Sequence, residues 1–121
     1  MSKLRVAILG LVAAFVLVWA LPALAHTNRA ASTVSVTAGK PAEFHFTLSP
    51  ASAKHGSVTF KVVNKGALAH DFWINGKKTP LLKPGTSASL TVTFAKAGSY
   101  PYKCTVPGHA AAGMKGTLKV S

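Results

Sequence analysis

Acidic residues are almost missing from this sequence. Among 121 residues only Glu43 and Asp71 carry carboxylates, against fourteen Lys+Arg, for a formal charge of +12. Two acids 28 positions apart argue against chemistry that needs paired carboxylates, such as glycoside hydrolysis. Cysteine is down to one, Cys104. That excludes an internal disulfide framework and any zinc or iron–sulfur site built from a cysteine cluster. Neither GxxxxGK[ST] nor GxGxxG occurs, so no nucleotide fingerprint is present. Past residue 26 there is no convincing 3.6-residue apolar period and no internal repeat. What is left is one small basic domain.

The first 25 residues read as a secretory signal peptide. Lys3 and Arg5 form a positive start, Val6 to Leu21 is an uncharged apolar run, Pro22 breaks it, and Ala23-Leu24-Ala25 fits a small-x-small cleavage site. An uncleaved anchor is the other reading, but the run is shorter than the ~20 residues that span a bilayer comfortably. Cleavage after Ala25 leaves 26–121, with twelve basic and two acidic residues, a charge of +10. Export implies an oxidising compartment, the periplasm or the outer face of the membrane. A lone thiol there must be protected, paired or used.

From residue 26 onward the apolar residues alternate with period 2. Val34 and Val36 do so, then Phe44, Phe46 and Leu48, with Glu43, His45 and Thr47 expected to point away. The same alternation marks Val58, Phe60 and Val62; Leu68, His70, Phe72 and Ile74; Leu90, Val92 and Phe94; Tyr100, Tyr102 and Cys104; and Leu118 and Val120. Turn pairs such as Asn64-Lys65-Gly66, Asn75-Gly76 and Ala97-Gly98 separate these runs. The expectation is an all-β antiparallel sandwich of about seven strands. Its core is expected to hold Phe44, Phe46, Val58, Phe60, Val62, Phe72, Leu90, Val92, Phe94 and Leu118. The parity of Trp73 leaves it unplaced.

One constellation carries chemistry. Cys104-x4-His109-x4-Met114 lies in the last third, and His70 stands 34 residues before Cys104. A thiolate, two imidazoles and a thioether form the donor set of a trigonal His2Cys copper site with a weak axial Met. Pro107-Gly108 would turn the chain back after Cys104, and Gly113 would let Met114 approach from the axial side. Taken singly, a buried Cys is usually a small hydrophobe, a His on a strand face usually a core residue, and a Met usually packing. Taken together, all four stand where one site needs them.

With those residues in view, Gly98–Val120 resembles the C-terminal signature of the cupredoxins, and Ala69-His70-Asp71-Phe72 resembles their first-ligand segment. The x4/x4 spacing is similar to that of rusticyanin and the phytocyanins. The resemblance implies a Greek-key β-sandwich with copper near one end, ligated by His70, Cys104, His109 and Met114. It also implies a brace between the two ligand segments from the residue after the first His. Many members have Asn or Ser there. Here it is Asp71, which can accept from the Thr105 backbone N–H or hydroxyl and which, when ionised, adds negative charge near copper. A single cysteine excludes the binuclear variant, and 96 residues cannot supply the further domains of copper nitrite reductases or multicopper oxidases.

The expectation is therefore an exported mononuclear blue-copper protein, a one-electron carrier and not an enzyme. A copper carrier or storage protein with the same ligands is the alternative, and a metal-free interaction sandwich a third. Its partners are expected to be redox proteins with acidic docking surfaces, with an anionic membrane surface a further candidate. Lys77, Lys78 and Lys83 cluster in one loop, and the lack of basic–aromatic interleaving argues against nucleic acid. The chain is expected to be a monomer. Scarce carboxylates are expected to blunt acid denaturation. His45 and His55 are read as solvated. His26 would become N-terminal, where amine and imidazole can chelate Cu(II), but no further ligands for it are evident and it is read as part of a leader.

Overall fold

In the computed structural model, residues 32–121 and Gly10 are described. Apart from Gly10, the expected signal peptide lies outside the described residues, as does His26. Among the described residues nine strands follow in order: β1 Ser32–Ala38, β2 Phe46–Ser49, β3 Ser52–Ala53, β4 Gly56–Asn64, β5 Trp73–Ile74, β6 Lys77–Lys78, β7 Ser87–Phe94, β8 Gly98–Lys103 and β9 Lys115–Val120. They form two sheets, ordered β2-β1-β4-β7 and β3-β9-β8-β5-β6. The two-residue strands β3 and β6 are the excess over the expected seven, and β5, also two residues long, is what remains of the expected run 67–74.

The alternation seen in the sequence is what closes the sandwich. Val34 and Val36 on β1, Val58, Phe60 and Val62 on β4, and Val92 and Phe94 on β7 all face inward and are buried. They meet Ile74, Leu118 and Val120 from the other sheet, with Phe72 between. Burying a large apolar side chain contributes about 1.5–3 kcal/mol, so this face specifies which way each strand points. The ring of Phe72 lies 5.3 Å from those of both Phe46 and Phe60. Pairing is antiparallel except where β1 lies parallel to β4 and β3 parallel to β9.

Several expectations need correction. Phe46 and Leu90 are only partly buried at the margin of the core, and Phe44 packs in a separate, smaller cluster. The run 41–45 is turn rather than strand, so Glu43 does not point away as an alternating strand would require. The run 67–72 is likewise not a strand: only His70 bridges, to Leu82. His70, Phe72 and Ile74 are buried as the parity predicts, but Leu68 is 46% exposed. The cause is Asn64, fully buried at the end of β4. Its side-chain amide donates to Leu68 O and Leu82 O, both at 2.8 Å, and its carbonyl accepts from Gly66 N–H at 2.9 Å. These bonds turn the backbone before it can pair as a strand. Trp73 sits half-buried on the outer face of its sheet, with Lys103 Nζ 5.1 Å from its ring centroid. His45 is exposed as expected. His55 is tied down: its Nδ1 lies 2.9 Å from Ser121 O, and its backbone N–H donates to the same oxygen at 2.7 Å.

Candidate metal centre

Three segments meet at one end of the sandwich. The first is the turn 66–71, fixed by Asn64 and by reciprocal backbone bonds between His70 and Leu82, at 3.1 and 2.8 Å. The next residues are held by Thr79, whose Oγ1 accepts from Phe72 N–H at 3.1 Å and whose N–H donates to Phe72 O at 3.0 Å. The second segment is the end of β8, which delivers Cys104. The third is the loop 105–113. It coils through short-range bonds from His109 N–H to Val106 O, from Ala112 N–H to Gly108 O, and from Met114 N–H to His109 O. Gly108 (φ 84°) and Gly113 (φ 114°) take the left-handed conformations this coil requires. Cys104 N–H then donates to Met114 O at 3.1 Å, closing the loop on itself and handing the chain to β9.

This frame brings the expected residues together. His70 Nδ1 lies 3.1 Å from His109 Nδ1, and Cys104 Sγ lies 3.9 Å from the first and 3.6 Å from the second. A triangle with those three sides has a circumradius of about 2.1 Å. That matches bonds from one first-row metal ion to imidazole nitrogen and thiolate sulfur, ~2.0–2.3 Å for zinc. One thiolate and two imidazoles with a thioether nearby suit copper best. Met114 is fully buried and shares an apolar cluster with Cys104, Ala38, Phe44, Phe46 and Val106. The ring of Phe44 meets that of His109 edge-on at 5.0 Å. His70 is fully buried, whereas His109 is half-buried.

Both carboxylates of the chain are used here. Asp71 accepts from the Thr105 backbone N–H at 2.6 Å and from the Thr105 hydroxyl. It thus makes both bonds that the sequence offered it and ties the first segment to the third. Glu43 was not singled out from the sequence. Its two oxygens accept from the N–H groups of Ala67 and Leu68 at 2.9 Å, and Oε1 lies 2.7 Å from His70 Nε2. Those two backbone bonds, followed by the bond to His70, hold its pKa down at about 2. Burial pushes the Cys104 thiol above its ordinary range, so a bound metal ion would have to displace its proton. Burial first, and then His70, hold His109 below the usual imidazole value, which favours the neutral, ligating form.

Comparison with known proteins agrees with the donor set. The profile of the copper-binding proteins of the plastocyanin/azurin family matches residues 27–121. Auracyanin-B from Chloroflexus aurantiacus is 51% identical over 43 residues, which is 36% of this chain and 18% of that protein. The copper-resistant cuproprotein CopI from Pseudomonas aeruginosa is 52% identical over 40 residues, 33% of this chain and 22% of that one. The matched stretches thus span about a fifth of each curated relative. Among solved structures, auracyanin B superposes with a TM-score of 0.67 at 29% identity, over 75% of this chain and 89% of that one. Rusticyanin from Thiobacillus ferrooxidans gives 0.60 at 24% identity, over 74% and 76%, a likeness of fold.

Proposed function

Because the chain belongs to the plastocyanin/azurin family of copper-binding proteins, we propose that it is a mononuclear blue-copper protein that carries single electrons between larger redox partners. The observation that carries this reading is the buried triangle of His70 Nδ1, His109 Nδ1 and Cys104 Sγ, sized for one ion. When bound, copper supplies a one-electron couple, Cu(I)/Cu(II). Cys104 would give the thiolate, His70 and His109 neutral imidazoles through Nδ1, and Met114 a weakly donating thioether. Four protein donors leave no open position for a substrate, which supports a carrier rather than an enzyme. The half-buried ring of His109 is the exit edge, with Pro107, Gly108 and Ala110–Ala112 around it as a small apolar rim. Residues 1–25 act as the signal peptide, and 26–121 work as an exported monomer.

The proposed partners carry acidic surfaces. Support comes from a row of cations on the outer face of the second sheet. Lys115, Lys103, Trp73 and Lys78 are directly paired in register across β9, β8, β5 and β6. Like charges directly opposite, as Lys103 and Lys115 are, are unfavourable unless an anion covers them. Glu43 and Asp71 are both turned to the metal centre. Lys103 and Lys115 immediately flank the ligands Cys104 and Met114, so the steering charge lies beside the site.

Copper storage or delivery with the same ligands is the second reading, favoured by the likeness to the copper-resistant cuproprotein. Reconstitution of the purified protein with Cu(II) separates the readings. An intense blue colour that a reductant bleaches reversibly, with slow exchange of the metal, supports the electron carrier. Rapid exchange supports delivery, and no colour rejects both. With an acidic redox partner the second-order rate should fall as salt shortens the Debye length, to ~8 Å at physiological ionic strength. Lys103→Glu should weaken that salt dependence, whereas Ala111→Glu should lower the rate at every salt concentration. A flat salt profile would reject the acidic partner.

A further inference from the structure

We propose that Glu43 is a positioning residue for the copper centre: its carboxylate fixes the tautomer of His70 before metal arrives and biases the bound ion toward Cu(II). This rests on the copper reading only in its second half. A carboxylate that already accepts from Ala67 and Leu68 N–H has only acceptor oxygens to offer, and Oε1 stands 2.7 Å from His70 Nε2. His70 Nε2 therefore carries the ring proton. Its Nδ1 is left with a lone pair, aimed at His109 Nδ1 3.1 Å away and at Cys104 Sγ. It follows that the hydrogen between the two Nδ1 atoms belongs to His109 in the metal-free protein. The two ligands are thus unequal. His70 waits in the ligating tautomer, and His109 must move its Nδ1 proton when metal enters.

Packing around the pair supports a built contact. A Cβ at Gly66 would come 2.6 Å from Glu43 Oε1 and 2.9 Å from His70 Nε2, so the chain passes this pair with no space for a side chain. Glu43 is drawn from the turn after β1, 27 residues before His70, so the carboxylate also pins that turn over the first-ligand segment. A negative charge on the far side of a ligating imidazole strengthens its donation, and partners of this kind change metal affinity by about 10–100-fold when removed. Donation favours the more highly charged ion, so the bias is toward Cu(II).

The test uses two variants of the full chain. In Glu43→Gln the side chain keeps its shape but loses its charge and one acceptor. Nitrogen-15 NMR of the copper-free wild type should show His70 as the Nε2–H tautomer and His109 as Nδ1–H. In Glu43→Gln, His70 should become a mixture of tautomers. In the copper-loaded variant the preference for Cu(II) over Cu(I) should fall about ten-fold, which is ~59 mV of higher potential for a one-electron couple. Gly66→Ala keeps the charge and wedges the pair apart. It should disturb the His70 tautomer as strongly while raising the potential less. A wild-type His70 without a proton on Nε2, or His70 signals and potential unchanged in both variants, would overturn the proposal. A wild type that never turns blue would instead overturn the copper reading, and the metal-free spectra would still decide the tautomer.

Discussion

The main core and the small cluster at the metal end are both apolar and both buried, yet they hold different atoms. Around Phe60, Phe72 and Phe94 the lining is almost wholly hydrocarbon and aromatic, drawn from both sheets. Around Ala38, Cys104 and Met114 the hydrocarbon of Phe44, Phe46 and Val106 encloses two sulfur atoms beside two imidazoles. The first cluster is the larger and joins the two sheets, so stability should reside there. The second is small and is braced by hydrogen bonds that Asp71 and Glu43 accept, so it can be tuned without dissolving the fold. Division of this kind lets a metal site keep a fixed geometry while its donors change.

The sharpest way to break this comparison is Cys104→Ser. The intense visible absorption of the copper-loaded protein should vanish completely while circular dichroism shows a folded domain, because the colour needs the thiolate and the core does not. A blue Ser variant would mean that the small cluster is not the chromophore. Phe60→Ala is the converse. It should cost about 3–5 kcal/mol in urea unfolding of the metal-free protein, a large part of the ~5–15 kcal/mol typical of a domain, and any variant that still folds should still turn blue. Loss of colour in a folded Phe60→Ala protein would show the two regions to be coupled. Met114→Leu should keep copper and raise the potential, on the order of 59 mV for a ten-fold shift toward Cu(I). A lower or unchanged potential in voltammetry would remove Met114 from the donor set.

The smallest expected effect is in acid. Glu43 is depressed to about 2, so its contribution is complete above the ordinary carboxylate value of about 4.3 and is lost as pH falls through about 2. His109 is also lowered. It adds a separate loss that begins as pH falls below the free imidazole value of about 6.5, because the unfolded chain takes up that proton more readily. Glu43→Gln should flatten only the lower window in thermal melts of the metal-free protein. The change should be modest, since the carboxylate is 28% exposed. Few carboxylates therefore do not mean acid indifference when Glu43 is committed to a brace.

How much of this was legible depended on chain distance. Cys104, His109 and Met114 lie in one short stretch, and their order alone pointed to one loop and one metal. His70 completed the donor set by residue type, and it shares the buried parity of Phe72 and Ile74 although its segment is not a strand. Asp71 and Thr105 each stand next to a ligand, and their contact was expected from the cupredoxin resemblance. Glu43 had no such neighbour. Its contact depends on how the turn after β1 folds over the turn after β4, and alternation says nothing about turns. The same blindness made 41–45 and 67–72 look like strands. There the side chain of Asn64 competes successfully with the ladder for backbone partners. The tie between His55 and Ser121 joins two loop ends 66 residues apart and carries no periodic signal at all.

The distances along the chain also set an order of assembly. Cys104 and His109 are five residues apart, but His70 is 34 from Cys104 and Glu43 a further 27 from His70. The parallel pairing of β1 with β4 spans an intervening excursion of the chain, and Glu43 lies within it. Loop closure of this length is slow and precedes any reward from the contacts it makes. A chain still unfolded offers a metal ion only the local thiol–imidazole pair, a weak and exchangeable grip. The complete set of donors arises when the last long-range contacts close, so the rate at which blue colour develops on adding copper to refolding protein should report the final folding step.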